Sequence, residues 1–223
     1  MIITKIQQQK HRADAYSISV DGAYAFSLLD EGLVKSGLKE GQEITEEELN
    51  AIRGANEKPL AFDTCLRLLE FRPRSSRELQ DRLKAKKFAP DAIEFALAKL
   101  QELGFLNDGK FARQWAATRL GQGKGPEFVK GELRRKGISK EMIAEALEEM
   151  KASPEEEQET LQRLIKGKMK QLHGLPPHVV VRRLMGFLAR RGFSIDSIQE
   201  ALRTVRNELK EKMSEDSNGE QGE

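Results

Sequence analysis

The residues that could carry catalysis or hold a metal are few and far apart in this sequence. The three histidines are His11, His173 and His178, and none of them stands at the spacing of paired metal ligands. The phosphate-binding patterns GxxxxGK[ST] and GxGxxG after a strand are both missing. The single cysteine, Cys65, lies between apolar helical positions, and we interpret it as a small core residue. We therefore predict that the protein is not an enzyme and uses no metal and no cofactor.

The basic residues, by contrast, are distributed in a way that favours an anionic partner. The sequence has 38 Lys and Arg against 36 Asp and Glu, a formal net charge of only +2. Many of the acids, however, are concentrated in the run from Glu155 to Glu159 and in the end of the chain from Glu215. Residues 160–212 contain 12 basic and 4 acidic residues. The helical part of the chain is therefore cationic, which suits a polyanion or an acidic groove.

The helices that must position these charges are predicted by an apolar pattern that occurs three times. Its positions are Leu79, Leu83, Phe88, Ile93 and Leu97, then Val129, Leu133, Ile138, Ile143 and Leu147, then Leu184, Leu188, Phe193, Ile198 and Leu202. In each set, the first two and the last two positions lie four residues apart, on one face of a helix. The pattern predicts a pair of helices joined by a tight turn in each of three tandem repeats.

The turn between the paired helices is also predicted by residue type. Gly137 and Gly192 stand where the first helix has to end in a left-handed conformation, which glycine adopts without a side-chain clash. Ser139 and Ser194 follow, where a hydroxyl can cap the second helix. Lys87 replaces the glycine in the first copy, so we expect that turn to be less regular.

Further elements complete a prediction of the fold class. Apolar residues at helical spacing precede each pair, so each repeat should contain three helices. Residues 1–36 are typical of short strands, with Asp21 and Gly22 as a hairpin turn. The segment from Gly121 to Gly125, inside the second repeat, is a candidate linker and a flexible turn between helices. The predicted fold is mostly α, an elongated tandem array of three-helix, helix-turn-helix-like repeats with a small N-terminal β-containing domain.

The expected domains follow from these elements. They are residues 1–56 for the β-hairpin-containing domain, 57–108, 109–152 and 153–212 for the three repeats, and 213–223 for a disordered acidic tail. No apolar run approaches the roughly 20 residues that cross a bilayer, and the N-terminus lacks the hydrophobic stretch of a signal peptide. A single cysteine is consistent with a reducing compartment. We expect a cytoplasmic monomer with no membrane partner.

Cations recur where the first helix of each pair ends. One cation per helix is expected there, because it opposes the negative end of the helix dipole. Two or three per copy exceed that need and predict a stripe of contacts along the array, while ordinary solvated faces remain the alternative. The candidate contact residues are Lys86, Lys87, Arg134, Arg135, Lys136, Arg190 and Arg191 at these helix ends, together with Arg72 and Arg74 at the opening of the first pair.

Several stretches of the sequence resemble the RecX family of regulators of the RecA recombinase. They are LLEFRPRSSRELQDRL at 68–83, LQELGFLNDGKFARQWA at 100–116, GKGPEFVKGELRRKGIS at 123–139 and RRGFS at 190–194. The resemblance implies an array of three-helix units that binds RecA and RecA filaments on DNA. It further implies a limit on filament growth, ATP turnover and strand exchange, in recombination, DNA repair and the SOS response to DNA damage. The family supplies no catalytic residue to carry over.

Two functions therefore compete. The first is a non-catalytic regulator that binds RecA and its filament, with weak contacts to the phosphates of single- or double-stranded DNA. The second is a free-standing DNA-binding protein that grips duplex DNA through helix-turn-helix-like repeats. An enzyme of unknown type ranks third, because no pair of carboxylates stands out as a general acid and base.

Overall fold

A computed structural model of the chain describes residues 1–10 and 12–219, and the side chains of those residues except 208 and 210–219. Within these residues the chain forms three strands and ten helices. They divide into two compact units, the first ending at Asn107 and the second beginning at Asp108. The fold is mostly α, with three-helix repeats in tandem after a small β-containing region, as the apolar pattern predicts.

The first unit begins with a three-stranded antiparallel sheet. Its strands are β1 (Ile3–Gln9), β2 (Arg12–Val20) and β3 (Ala23–Leu29), paired in the order β1-β2-β3. Asp21 and Gly22 join β2 to β3 with φ angles of 49° and 83°. Positive φ at both turn residues matches the right-handed twist of the flanking strands, so the predicted hairpin is confirmed.

A small hydrophobic core lies against this sheet. Short helix α1 (Asp30–Ser36) follows β3, and Leu38 and Ile44 come from the segment beyond it. These two side chains pack with buried residues of all three strands, which are Ile3, Ile18, Phe26 and Leu28.

One long helix connects the β-containing region to the first repeat. Helix α2 (Glu46–Phe71) begins with a capping box, in which Thr45 and Glu48 each accept a hydrogen bond from the other's backbone N–H. Helix α2 continues through Pro59 to Phe71, so it also forms the first helix of repeat 1. The boundary predicted between residues 56 and 57 therefore falls inside a helix.

The repeats are completed by eight further helices. They are α3 (Ser76–Ala85) and α4 (Pro90–Glu102) in repeat 1, α5 (Asp108–Gly121), α6 (Pro126–Arg135) and α7 (Lys140–Glu149) in repeat 2, and α8 (Pro154–Met169), α9 (Pro177–Arg190) and α10 (Ile195–Gly219) in repeat 3. The predicted acidic tail, 213–223, overlaps α10 as far as Gly219, and its last four residues lie outside the described residues.

The threefold apolar pattern forms the cores of the repeats. All of its positions are buried except Phe88, Leu97 and Leu147, which are partly buried and pack on the same clusters. Cys65 is fully buried in the core of repeat 1, as we predicted. Each buried leucine or isoleucine contributes about 1.5–3 kcal/mol, so the pattern carries much of the stability of these small bundles.

Candidate functional site

Seven of the nine candidate contact residues lie at one turn that recurs in each repeat, whereas Arg72 and Arg74 lie at the junction between α2 and α3. In each of the three turns, the third residue after the end of the helix donates its backbone N–H to a leucine carbonyl oxygen, and the three leucines occupy the same position of their repeats. These bonds are Phe88 to Leu83 at 3.2 Å, Ile138 to Leu133 at 3.1 Å and Phe193 to Leu188 at 3.4 Å. The residue before each donor has a positive φ, of 63° at Lys87, 79° at Gly137 and 87° at Gly192. The predicted helix-ending turn is confirmed in all three repeats.

Lys87 does not make the first turn irregular, contrary to expectation. Its backbone takes the same left-handed conformation as the two glycines and keeps the same hydrogen bonds. A side chain in that conformation brings Cβ close to a carbonyl oxygen, which costs about 1–2 kcal/mol. The surrounding turn therefore imposes the conformation on Lys87, although the residue type disfavours it.

In repeat 1, two of the candidate residues support their own fold. Arg72 Nη2 pairs with Glu78 Oε1 at 3.0 Å, and Arg74 Nε donates to the carbonyl oxygen of Leu68 at 3.0 Å. Burial lowers the pKa of Arg74, with repulsion from Arg72 as a further cause. Arg72 and Arg74 thus help to fix the junction between α2 and α3.

Lys86 and Lys87 are placed differently. Both are exposed, and neither has an ion-pair or hydrogen-bond partner for its side chain among the described residues. Lys86 is the C-cap residue that follows α3, and its N–H donates to the carbonyls of Arg82 and Leu83. Their ammonium groups can therefore meet an anion from outside the fold.

In repeat 2, Arg134 and Arg135 are exposed at the end of α6. Neither makes a side-chain ion pair or hydrogen bond with any other described residue. Lys136 lies elsewhere, because its Nζ is 4.1 Å from the centre of the Trp115 ring and 5.7 Å from that of Phe111. This cation–π contact ties Lys136 to the aromatic core of the repeat.

Trp115 is the centre of a polar network that sequence reasoning missed. Its ring stacks on Phe111 with 5.7 Å between ring centres, as their shared helical face predicts. Its Nε1–H also donates to Glu132 Oε2 at 2.8 Å, and Arg119 Nε donates to the same oxygen at 2.8 Å. Trp115 and Arg119 lie four residues apart on α5, which predicts that their side chains are neighbours. Only the packed fold brings Glu132 of α6 beside them.

In repeat 3, the two candidate arginines separate. Arg190 is exposed and has no side-chain ion pair or hydrogen bond with another described residue. Arg191 is half-buried, with its guanidinium carbon 4.8 Å from the centre of the Phe187 ring. Its Nη1 donates to the carbonyl oxygens of Gly123 at 3.0 Å and Gln122 at 3.4 Å. Arg191 therefore binds repeat 2 rather than facing outward.

The contact that Arg191 makes belongs to a joint between repeats 2 and 3 in the second unit. Gly125 N–H donates to the carbonyl oxygen of Arg191 at 2.6 Å, and Glu127 N–H donates to that of Gly192 at 3.2 Å. A Cβ on Gly125 would lie 2.3 Å from the Gly192 oxygen, so only glycine allows this approach. The N–H groups at the start of α6, which lack a side-chain cap, find their partners here.

The prediction that residues Gly121 to Gly125 form a flexible linker is therefore wrong. Gly123 has a φ of 71° and donates to the carbonyl oxygen of Leu120 at 2.8 Å, which ends α5. Gly125 then packs against repeat 3. Glycine-rich composition here reflects a helix end and a close backbone contact, not a mobile connection.

Five of the nine candidate residues thus remain available to a partner. They are Lys86, Lys87, Arg134, Arg135 and Arg190, and all of them stand at or just before the left-handed residue of the recurring turn. Exposed ammonium and guanidinium groups bind phosphates and carboxylates, and a bidentate arginine pair is the stronger form. Arg72, Arg74, Lys136 and Arg191 make contacts within the fold, and a role of any of the nine residues in partner binding stays a prediction.

The described residues include no cluster suited to a metal ion, since no group of three or more of their His, Cys, Asp or Glu side chains is arranged to hold one. His11 lies outside the described residues. Burial raises the pKa of the Cys65 thiol to about 11, which keeps it protonated and unreactive at neutral pH. None of the described helices is both long and apolar enough to span a bilayer.

Comparison with known proteins covers nearly the whole chain. Models of the RecX family match in four segments, the regulatory protein RecX N-terminal domain at residues 1–45 and the first, second and third three-helix domains at 61–100, 107–147 and 155–202. The regulatory protein RecX of Bacillus subtilis is 33% identical over 207 residues, which are 92% of this chain and 78% of the relative. That of Streptomyces lividans is 38% identical over 148 residues, 66% of this chain and 76% of the relative.

A solved structure agrees with the sequence comparison. The crystal structure of a regulatory protein RecX aligns with a TM-score of 0.62 and 27% identity, covering 89% of this chain and 97% of that one. The same order of one N-terminal domain and three three-helix domains is found in the elements described above. On the family models, the relatives and the fold together, this chain belongs to the RecX family of regulatory proteins.

Proposed function

We propose that this protein is a non-catalytic regulator of the RecA recombinase that binds RecA and its filaments on DNA in the cytoplasm. Binding limits filament growth, ATP hydrolysis and strand exchange during recombination, DNA repair and the SOS response. The observation that carries the proposal is the recurring turn, where each of the three repeats presents at least one exposed cation that the fold does not use.

Repetition is what makes weak contacts sufficient. An exposed ion pair contributes only about 0–1 kcal/mol. When several contacts belong to one chain, each later contact forms at a high effective concentration, so the combined affinity exceeds that of any single repeat. A filament offers the matching repetition, since identical subunits follow one another along DNA. The DNA contacts are to phosphates and are weakly selective for sequence.

The test is RecA-catalysed ATP hydrolysis on single-stranded DNA at fixed salt, with and without a stoichiometric amount of this protein. We expect hydrolysis to fall. The variant Arg134→Glu/Arg135→Glu should inhibit less, because it reverses two exposed cations of the turn in repeat 2. Arg163→Glu/Arg203→Glu is the matched control, since it reverses two exposed cations that lie away from the turns and should inhibit like the unaltered protein.

The alternative function gives a different result in the same experiment. A free-standing DNA-binding protein would bind bare duplex tightly and leave RecA activity unchanged except by competition for DNA. Unaltered hydrolysis at stoichiometric concentration, with single-stranded DNA in excess, would contradict the proposed regulation of RecA.

A further inference from the structure

A second candidate site lies in the first unit, between β3, one face of α2 and the turn from α3 to α4. The groove there has a volume of about 420 Å³. Tyr24 lines it from β3, Leu60 from α2 and Phe88 from the turn. The Tyr24 side chain is one of the larger apolar surfaces left open, since the residue is 65% exposed.

Positively charged side chains outnumber negatively charged ones around this groove. Arg53, Lys86 and Lys87 line it and are exposed, and no described residue forms an ion pair or hydrogen bond with their side chains. A fourth cation, Arg12, is already paired with Asp63 of α2. The lining includes one carboxylate, Glu57, whose Oε1 accepts a hydrogen bond from the Ala89 N–H at 2.7 Å.

The backbone of Lys87 adds an independent observation. At this position of the turn, repeats 2 and 3 have Gly137 and Gly192, and only repeat 1 holds a side chain in the left-handed conformation. Strained residues that the fold over-determines are concentrated at functional sites. The fold gains no described contact from the Lys87 ammonium. The strain is therefore explained if the side chain serves a ligand in the groove.

We propose that this groove binds an extended acidic peptide segment of a partner protein. Its carboxylates pair with Arg53, Lys86 and Lys87, and its apolar side chains pack on Tyr24, Leu60 and Phe88. Alternating acidic and apolar residues meet both kinds of surface, since successive side chains of an extended chain point to opposite sides. A nucleic-acid strand fits less well, because every nucleotide carries a charged phosphate, whereas an acidic peptide also supplies the apolar side chains that pack on Tyr24, Leu60 and Phe88.

The test uses the full-length chain and a fluorescein-labelled octapeptide of four Val-Glu units, with binding followed by fluorescence anisotropy at low, fixed ionic strength. The same peptide with Lys in place of Glu, and a ten-nucleotide oligo-dT, serve as competing probes. At this groove we expect the acidic peptide alone to bind. Lys86→Glu/Lys87→Glu should weaken binding at least tenfold, whereas Lys5→Glu, an exposed cation on β1 of the same sheet, should not.

A single substitution separates the ligand role of Lys87 from its structural role. Lys87→Gly removes the side chain and the backbone strain together, so the melting temperature should rise while peptide affinity falls several-fold. Unchanged affinity in this variant would overturn the proposal, as would equal binding of the Lys peptide or tighter binding of oligo-dT at the groove. Neither RecA nor its filament is present, so the outcome is independent of the function proposed above.

Discussion

Arg191 in repeat 3 donates a hydrogen bond from its guanidinium to the carbonyl oxygen of Gly123 in repeat 2, at 3.0 Å. Two backbone hydrogen bonds flank this contact, from Gly125 to Arg191 and from Glu127 to Gly192. These three hydrogen bonds join repeats 2 and 3, and in two of them both donor and acceptor are main-chain atoms. Arg191, which occupies a cationic position of the recurring turn, is consequently a structural residue, and Arg190 is the available cation beside it.

Gly125→Ala should destabilise the second unit. The added Cβ would lie 2.3 Å from the Gly192 oxygen and 2.6 Å from the Phe193 nitrogen, so the joint must open. Overpacking of this kind costs about 1–3 kcal/mol. Urea denaturation followed by the fluorescence of Trp115, the only tryptophan, measures the change.

The matched control is Gly121→Ala, in the same glycine-rich segment. A Cβ there meets no atom within 4 Å, and the residue closes α5. We expect equal or slightly higher stability, because alanine favours a helix over glycine by up to about 1 kcal/mol. Equal midpoints for the two variants would show that the Gly125 contact does not hold the repeats together.

The left-handed turn residues predict opposite effects of two exchanges. Lys87→Gly should stabilise the first unit by roughly 0.5–1 kcal/mol, since relief of strain exceeds the added entropy of the unfolded chain. Gly137→Lys should destabilise the second unit by about 1–2 kcal/mol, because it creates the strain that Lys87 already bears. Thermal unfolding by circular dichroism measures both, and shifts of the same sign would refute the explanation from backbone strain.

Contacts to DNA phosphates in the filament predict a specific response to salt. Each phosphate contact adds about 0.7–0.9 to the slope of log affinity against log salt concentration. Arg134→Ala/Arg135→Ala should therefore lower that slope by roughly 1.4–1.8 in titrations of RecA–DNA filaments. Arg163→Ala/Arg203→Ala should leave it unchanged, and a slope that is the same in all three proteins would place Arg134 and Arg135 away from phosphates.

The pairing of β2 with α2 predicts a loss of stability in acid. Asp14 of β2 is paired with Arg67 of α2. Burial acts to raise the pKa of Asp14, but the Arg67 hydrogen bond and the nearby positive charges outweigh it and hold that pKa below its usual value. A carboxyl whose pKa is lowered by folding stabilises the protein above the unfolded-state pKa of about 3.9, and this contribution disappears as the pH falls through the folded-state pKa.

Asp14→Asn should therefore be less stable than the unaltered protein at pH 7, and the difference should shrink as the pH approaches about 2.5. Arg67→Met should show the same convergence, because it removes the partner instead of the carboxyl. Urea denaturation by circular dichroism at several pH values provides the comparison. Stability differences that stay constant down to pH 2.5 would exclude the ion pair as the cause.

Local signals in the sequence predict much of this fold. Leucine and isoleucine at fixed offsets define the helix pairs, Gly137 and Gly192 define where their first helices end, and the Asp21-Gly22 pair defines the hairpin. These features depend on residues only a few positions apart. The capping boxes at Thr45 and Ser75 are predictable for the same reason.

Features that depend on distant segments were not predictable. Nothing near Arg191 in the sequence indicates that its hydrogen-bond acceptors lie 68 and 69 residues earlier. Local sequence likewise gave no sign of the contacts of Arg74 and Lys136, which are a carbonyl oxygen for Arg74 and aromatic rings for Lys136. Pro59 cannot donate the backbone hydrogen bond of a helix interior, yet α2 continues past it and contributes Ala61 and Cys65 to the repeat 1 core.

The joint formed by Gly125 and Gly192 also limits how the array could be rearranged. Any Cβ at residue 192 would come within 2.2 Å of the Phe128 nitrogen, and the equivalent residue of repeat 1 is Lys87. Transplanting repeat 1 into the third place would therefore force the neighbouring bundle away, although its helices follow the same pattern. The three-helix modules of this protein are therefore not interchangeable, although they are similar. In a shuffled or shortened version, whichever repeat stands third would need glycine at the position of residue 192.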